Sequence, residues 1–102
     1  MGIHLTWSLL AEKDLQDVME YIRSANPQAA EFLATGLIER IEKLIDFPEM
    51  GRMVPERNDP SIREIVYRRY RIIYRFSASE MKVEIVRLWH AARDTPELPS
   101  SP

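Results

Sequence analysis

The spacing of apolar positions along this chain changes twice, and the changes divide it into elements. Ile3, Leu5 and Trp7 alternate with His4 and Thr6, the period of two expected of a strand with one buried face. Ala11, Leu15, Val18 and Ile22 then return every three or four residues, with Met19 widening the stripe, which predicts an amphipathic helix. Ser8 stands where its N-cap belongs, and Glu12 and Asp14 put negative charge in the early turns, the favourable end for it. The helix is expected to stop near Ala25, because Asn26-Pro27 reads as the start of another: Asn26 caps, and Pro27 suits a first helical position that needs no donor. Ala30, Leu33, Ala34, Leu37, Ile41, Leu44 and Ile45 keep helical spacing until Pro48, which biases Phe47 out of helical geometry. So short a link predicts an antiparallel helical hairpin.

Residues 48–61, PEMGRMVPERNDPS, carry three prolines and Gly51 and read as a loop. Three strand-like runs follow, IREIVY (62–67), YRIIYRF (70–76) and KVEIVRLW (82–89), rich in Ile, Val, Tyr and Trp. Arg68-Arg69 and residues 77–81 leave only short connections, so the three runs should form an antiparallel meander. Arg68-Arg69 is an unusual two-residue turn, since tight hairpins prefer Gly or Asn there. The order β-α-α-β-β-β defines an α+β domain, with the hairpin packed on one face of a small, mainly antiparallel sheet. One domain is expected over residues 1–94, and a flexible tail over 95–102 from the Pro/Ser-rich ending DTPELPSSP.

A chain of 102 residues can close one hydrophobic core without staples. It has no cysteine, which excludes disulfides and thiolate metal sites. No apolar run approaches the ~20 residues that span a bilayer, and no signal peptide is visible, so a cytoplasmic protein without membrane contact is expected. MGIHLT fits a loose myristoylation pattern, but Ile3–Trp7 reads better as a strand. The formal net charge of −2 argues against a purely electrostatic nucleic-acid binder. Its distribution is uneven: residues 1–51 hold four Lys/Arg against nine Asp/Glu, and residues 52–93 hold ten against five. A basic face for an anionic partner is one reading; a solvated strand face balanced by acidic helices is the plainer one. The clustered acids of the first helix suit a solvated face.

The decapeptide YRRYRIIYRF (67–76) concentrates four arginines and three tyrosines. By strand alternation Tyr70, Ile72, Tyr74 and Phe76 should meet the helices, leaving Arg71, Ile73 and Arg75 on the uncovered face. On the preceding strand Arg63, Ile65 and Tyr67 share one face, and Glu64 and Val66 the other; if Arg63 takes the uncovered side it converges with Arg71. Trp89-His90 closes the last strand, and Arg93 follows three residues beyond His90. A histidine and arginines around an open sheet face could hold a phosphate and move protons in RNA cleavage through the 2′-hydroxyl, with no metal. Each residue also has a structural reading. A strand-terminal histidine often ties down a carbonyl or carboxylate, Arg63 and Glu64 can pair across strands, and the tyrosines can be core. There is no glycine-rich phosphate loop, His/Cys metal spacing or nucleophile elbow, so neither cofactor nor metal is expected.

Taken in order, W7…A11…D14-L15…Y21-I22, N26-P27 with Ala29-Ala30, Phe47-Pro48, Gly51-Arg52, Val54-Pro55, Arg63-Glu64, Tyr70 to Arg75, His90 and Arg93-Asp94 resemble the ParE/RelE toxins of bacterial type II toxin–antitoxin systems, the plasmid-stabilisation type. The resemblance covers almost all of residues 3–94. It implies a growth-arresting toxin neutralised by a cognate antitoxin that wraps it, and operator DNA reached only indirectly through the antitoxin. RelE-like members cut mRNA in the ribosomal A site; ParE-like members poison DNA gyrase. Arg71 matches the strand arginine of the RelE pattern, and His90 and Arg93 the C-terminal region shared loosely by both branches. These three form the catalytic set if the chain is RelE-like. The broader target-binding set is Arg63, Arg71, Arg75, Trp89, His90 and Arg93. RelE-like enzymes usually carry a further tail tyrosine and are strongly basic. DTPELPSSP has no tyrosine and the sequence pI is 5.7, which with the HAARD ending leans toward gyrase over the ribosome and its mRNA. A degenerate, non-toxic member that still binds its antitoxin is a third reading.

Overall fold

A computed structural model describes residues 2–55 and 57–91. Strand β1 (His4–Trp7) leads into helices α1 (Leu9–Ala25) and α2 (Pro27–Asp46). Strands β2 (Arg52–Met53), β3 (Ile62–Tyr67), β4 (Tyr70–Ser77) and β5 (Lys82–His90) follow. The alternation, the two helical stripes and the three long C-terminal strands therefore lie where the pattern places them. The loop is the exception: it contains β2, whose two residues pair antiparallel with Arg63 and Glu64.

The caps are those the sequence offers. Ser8 Oγ accepts from Ala11 N at 3.0 Å and starts α1. Asn26 serves both helices. Its backbone N–H donates to Ile22 O at 2.8 Å to end α1, and its Oδ1 accepts from Ala29 N at 3.1 Å to begin α2. No other residue separates the helices, because Pro27 can follow a cap directly.

The five strands form one sheet in the order β1-β5-β4-β3-β2. β1 runs parallel to β5, and the other pairs are antiparallel. The main core lies between the helices and one sheet face. There Ala11, Val18, Leu33, Leu37, Ile41 and Leu44 meet Ile65, Tyr70, Ile72, Tyr74, Val83, Ile85 and Leu88. The exposed Ile45 shows the helical stripe ending a residue early.

The opposite face is not bare. Val54, from the loop, packs with Ile62, Ile73 and Trp89 in a second buried cluster, and Val86 joins it. A bulge between β4 and β5 produces this, since Ile73 pairs with Arg87 but Tyr74 pairs with Ile85, leaving Val86 as the extra residue. Tyr74 pins the loop from beneath: its hydroxyl donates to Pro48 O at 2.8 Å and accepts from Gly51 N at 3.0 Å. Gly51 is required by that approach, because a Cβ there would lie 2.6 Å from both Glu64 O and Tyr74 Oη.

Candidate functional site

The strand register decides which arginines can act together. Arg71 pairs with Val66 on β3 and Trp89 on β5, so it lies on the face away from the helices, as alternation predicts. Arg75 shares that face, opposite Ile62 and Glu84, and its guanidinium is 4.0 Å from Asp59. Two hydrogen bonds from Ser61 hold the Asp59 carboxyl below its ordinary pKa.

Arg63 departs from expectation. It pairs with Tyr74, which faces the helices, so Arg63 and Arg71 are on opposite faces and do not converge. Arg63 lies beside the loop, and its Nη1 donates to Gly51 O at 2.8 Å. It braces the loop instead of joining an arginine cluster on the open face. The expectation failed because both faces of IREIVY carry two apolar side chains, so composition could not choose between them.

Glu64 takes the place expected of Arg63. Its side chain is fully excluded from solvent, and Arg71 Nε donates to Oε1 at 2.7 Å, with Arg71 Nη2 2.6 Å from the same oxygen. From β2, Arg52 Nε donates to Oε2 at 2.5 Å. Arg71 is itself only 12% exposed, whereas Arg52 is 67% exposed. The open face thus carries a closed bridge of two guanidinium groups on one carboxylate, spanning three strands. Glu64 was legible only as a pairing partner of Arg63; its shared parity with Val66 was the signal that placed it opposite.

His90 also faces away from Arg71. It pairs with Tyr70, whose ring it meets edge-on at 5.1 Å between centroids. Both line a groove of about 330 Å³ between the helices and the β3–β4 turn, together with Ile22, Ala29, Phe32, Leu33, Arg68 and Arg69. Trp89 is buried on the open face, with the Arg87 guanidinium 5.1 Å from its ring centroid. Of the six proposed site residues, the structure brings Arg71 and Trp89 together, keeps Arg75 on their face, and puts Arg63 and His90 on the other. Arg93 lies outside the described residues, as do the expected domain end at 94 and the tail 95–102.

Two further groups matter to the architecture of the site. Asp14, expected on a solvated helix face, receives Arg87 Nε at 2.7 Å and Nη2 at 2.9 Å, and the backbone N–H of Leu88 at 2.9 Å. Ser8 Oγ donates to Val86 O at 2.9 Å. Since β1 stops pairing with β5 at Ile85, these side chains satisfy the edge that β1 leaves open. Among the described residues no group of three or more His, Cys, Asp or Glu is placed to hold a metal ion, and no helix is long and apolar enough to cross a membrane.

Residues 5–95 match the family described as ParE toxin of type II toxin–antitoxin system, parDE. The chain belongs to the ParE toxin family. A curated relative, toxin RelE2 of Caulobacter vibrioides, is 35% identical over 88 residues, covering 86% of this chain and 92% of the relative. The ParE-family fold is also seen in a chain from the chromosomal ParDE system of P. aeruginosa, with a TM-score of 0.71 at 18% identity over 86% of this chain and 95% of that one. A chain of the toxin–antitoxin complex RelBE2 from Mycobacterium tuberculosis gives 0.62 at 18% identity, covering 88% and 99%. An arginine double mutant of E. coli RelE in the free state gives 0.59 at 18% identity, covering 89% and 85%. The structural likenesses establish the ParE/RelE fold, two helices on a mostly antiparallel five-stranded sheet.

Proposed function

We propose that this ParE-family chain is neutralised by a cognate antitoxin and, when free, inhibits DNA gyrase without cutting nucleic acid. The observation that carries this reading is the Arg52–Glu64–Arg71 bridge. Ribonuclease chemistry would need the Arg71 fork on a phosphate and a proton-transfer group beside it. Here Glu64 occupies that fork, and His90 stands across the sheet. Replacing Glu64 with a phosphate would expose a buried carboxylate to the incoming anion, which like-charge repulsion opposes. The acidic balance of the chain also disfavours the ribosome, whose surface is dense in phosphate. A 35% identical relative named RelE2 favours a second reading, a ribosome-dependent mRNA endoribonuclease, and the test includes it.

Purified protein is titrated into gyrase acting on relaxed plasmid with ATP. Loss of supercoiling or accumulation of cleaved plasmid is expected. Normal supercoiling at molar excess of the protein overturns the gyrase reading. In parallel, mRNA on programmed ribosomes should stay intact; codon-linked cuts abolished by Arg71→Ala would establish the ribonuclease instead. Harmless induction of the lone gene would identify a member that retains antitoxin binding only.

A further inference from the structure

Arg68 begins the two-residue turn between β3 and β4 and adopts φ 56°, the left-handed region usually left to glycine at this position. An arginine kept at that backbone cost is a reason to ask what its side chain does. Its guanidinium lies 5.4 Å from the Tyr67 ring centroid and 5.9 Å from that of Phe32, which is 71% exposed on α2. Such ring contacts hold the cation without using its N–H donors, which lie in the guanidinium plane. Among the described residues no carboxylate forms an ion pair with Arg68 or with its neighbour Arg69. Both arginines line the groove between the helices and the turn, together with the rings of Phe32, Tyr70 and His90 and the aliphatic side chains of Ile22 and Leu33. No carboxylate belongs to that lining.

From this combination we infer that the groove is a binding site for a nucleoside diphosphate or triphosphate. The base lies against the ring and aliphatic surface, and the phosphates meet Arg68 and Arg69 through charge-assisted, two-pronged hydrogen bonds. Two cations without a carboxylate among the lining residues select an anion, and three rings select a flat aromatic group; a nucleotide combines the two. At about 330 Å³ the groove is near the small end of ligand sites, which run from roughly 300 Å³ upward. That suits one base with its sugar and leaves the phosphates along the turn. A nucleic-acid strand needs cations spaced along its backbone, and here they stand on two consecutive residues. Nucleotide binding is measured on the protein alone, so its failure and the failure of the gyrase reading are distinguishable.

Calorimetric titration of the full chain with ADP, at fixed salt and without divalent cations, should show saturable one-to-one binding. Arg69→Gln should weaken it about tenfold, through the loss of one two-pronged phosphate contact. Phe32→Ala should weaken it about fivefold or more, through lost stacking. Arg68→Gly should weaken it as well. Because glycine relieves the left-handed turn, the melting temperature of that variant should hold while its binding falls, a combination that unfolding cannot produce. Inorganic pyrophosphate, with no base to stack, should bind about tenfold more weakly than ADP. Absence of ADP binding, or equal binding by wild type and Arg68→Gly, overturns the inference. Pyrophosphate that binds as tightly as ADP overturns it too, since the rings would then contribute nothing. So does a labelled oligothymidylate that binds more tightly than ADP.

Discussion

Glu64 shows how much one side chain can decide. A fully excluded carboxylate is tolerable only when paired, and here two guanidinium groups share it from strands on either side. The partners are not equivalent. Arg71 is itself nearly buried, so Glu64→Ala removes the carboxylate that compensates a largely desolvated cation and should cost about 3 kcal/mol. Arg52 is mostly solvated, so Arg52→Ala should cost about 1 kcal/mol or less. Urea unfolding of the two variants measures the difference; equal losses would mean the bridge is not asymmetric. Alternation alone put Arg71 on the face away from the helices. It could not find Arg71's partner, because that depends on register, and a strand with two apolar residues on each face leaves register to the turn and the loop.

At the scale of elements, the sequence is most legible where the signal is local. Ser8, Asn26, Pro27 and Pro48 set helix ends through contacts within a few residues, and those ends were predictable. β2 was not, since two residues carry no periodicity and its pairing is with residues eleven or so positions away. Asp14 was misread for the same reason: its partner Arg87 is 73 residues on. The contact is consequential because Asp14 also satisfies the Leu88 N–H at an unpaired strand edge. Asp14→Ala should therefore destabilise by about 2–3 kcal/mol, through a lost ion pair and an unsatisfied donor. Asp17 offers an internal control, since it pairs with Lys13 one turn back and both side chains are exposed. Asp17→Ala should change stability by under about 0.5 kcal/mol. Comparable losses in the two variants would show that the edge contact contributes little.

For the molecule as a whole, the sheet divides two hydrophobic clusters, and Tyr74 links the larger one to the loop that covers the other face. Its ring is in the main core while its hydroxyl holds Pro48 and Gly51. Burial pushes the phenol above its ordinary pKa of 10.0, and the Gly51 N–H and Arg63 oppose that only in part. The sign of the pH dependence follows. Below pH 10 both folded and unfolded chains keep the Tyr74 proton, and the full stabilisation is present. Above it the unfolded chain releases the proton before the folded one does, so stability falls as pH rises toward the folded-state pKa. Tyr74→Phe removes this dependence but loses both hydrogen bonds, costing about 2 kcal/mol at pH 7. Urea midpoints of the two proteins, compared between neutral pH and pH 11, should therefore differ most at neutrality and draw together above pH 10. Contributions common to both proteins cancel in the difference. A gap that stayed constant over that range would mean that the Tyr74 hydroxyl is as accessible to solvent in the folded chain as in the unfolded one, and that the loop does not seal this side of the sheet.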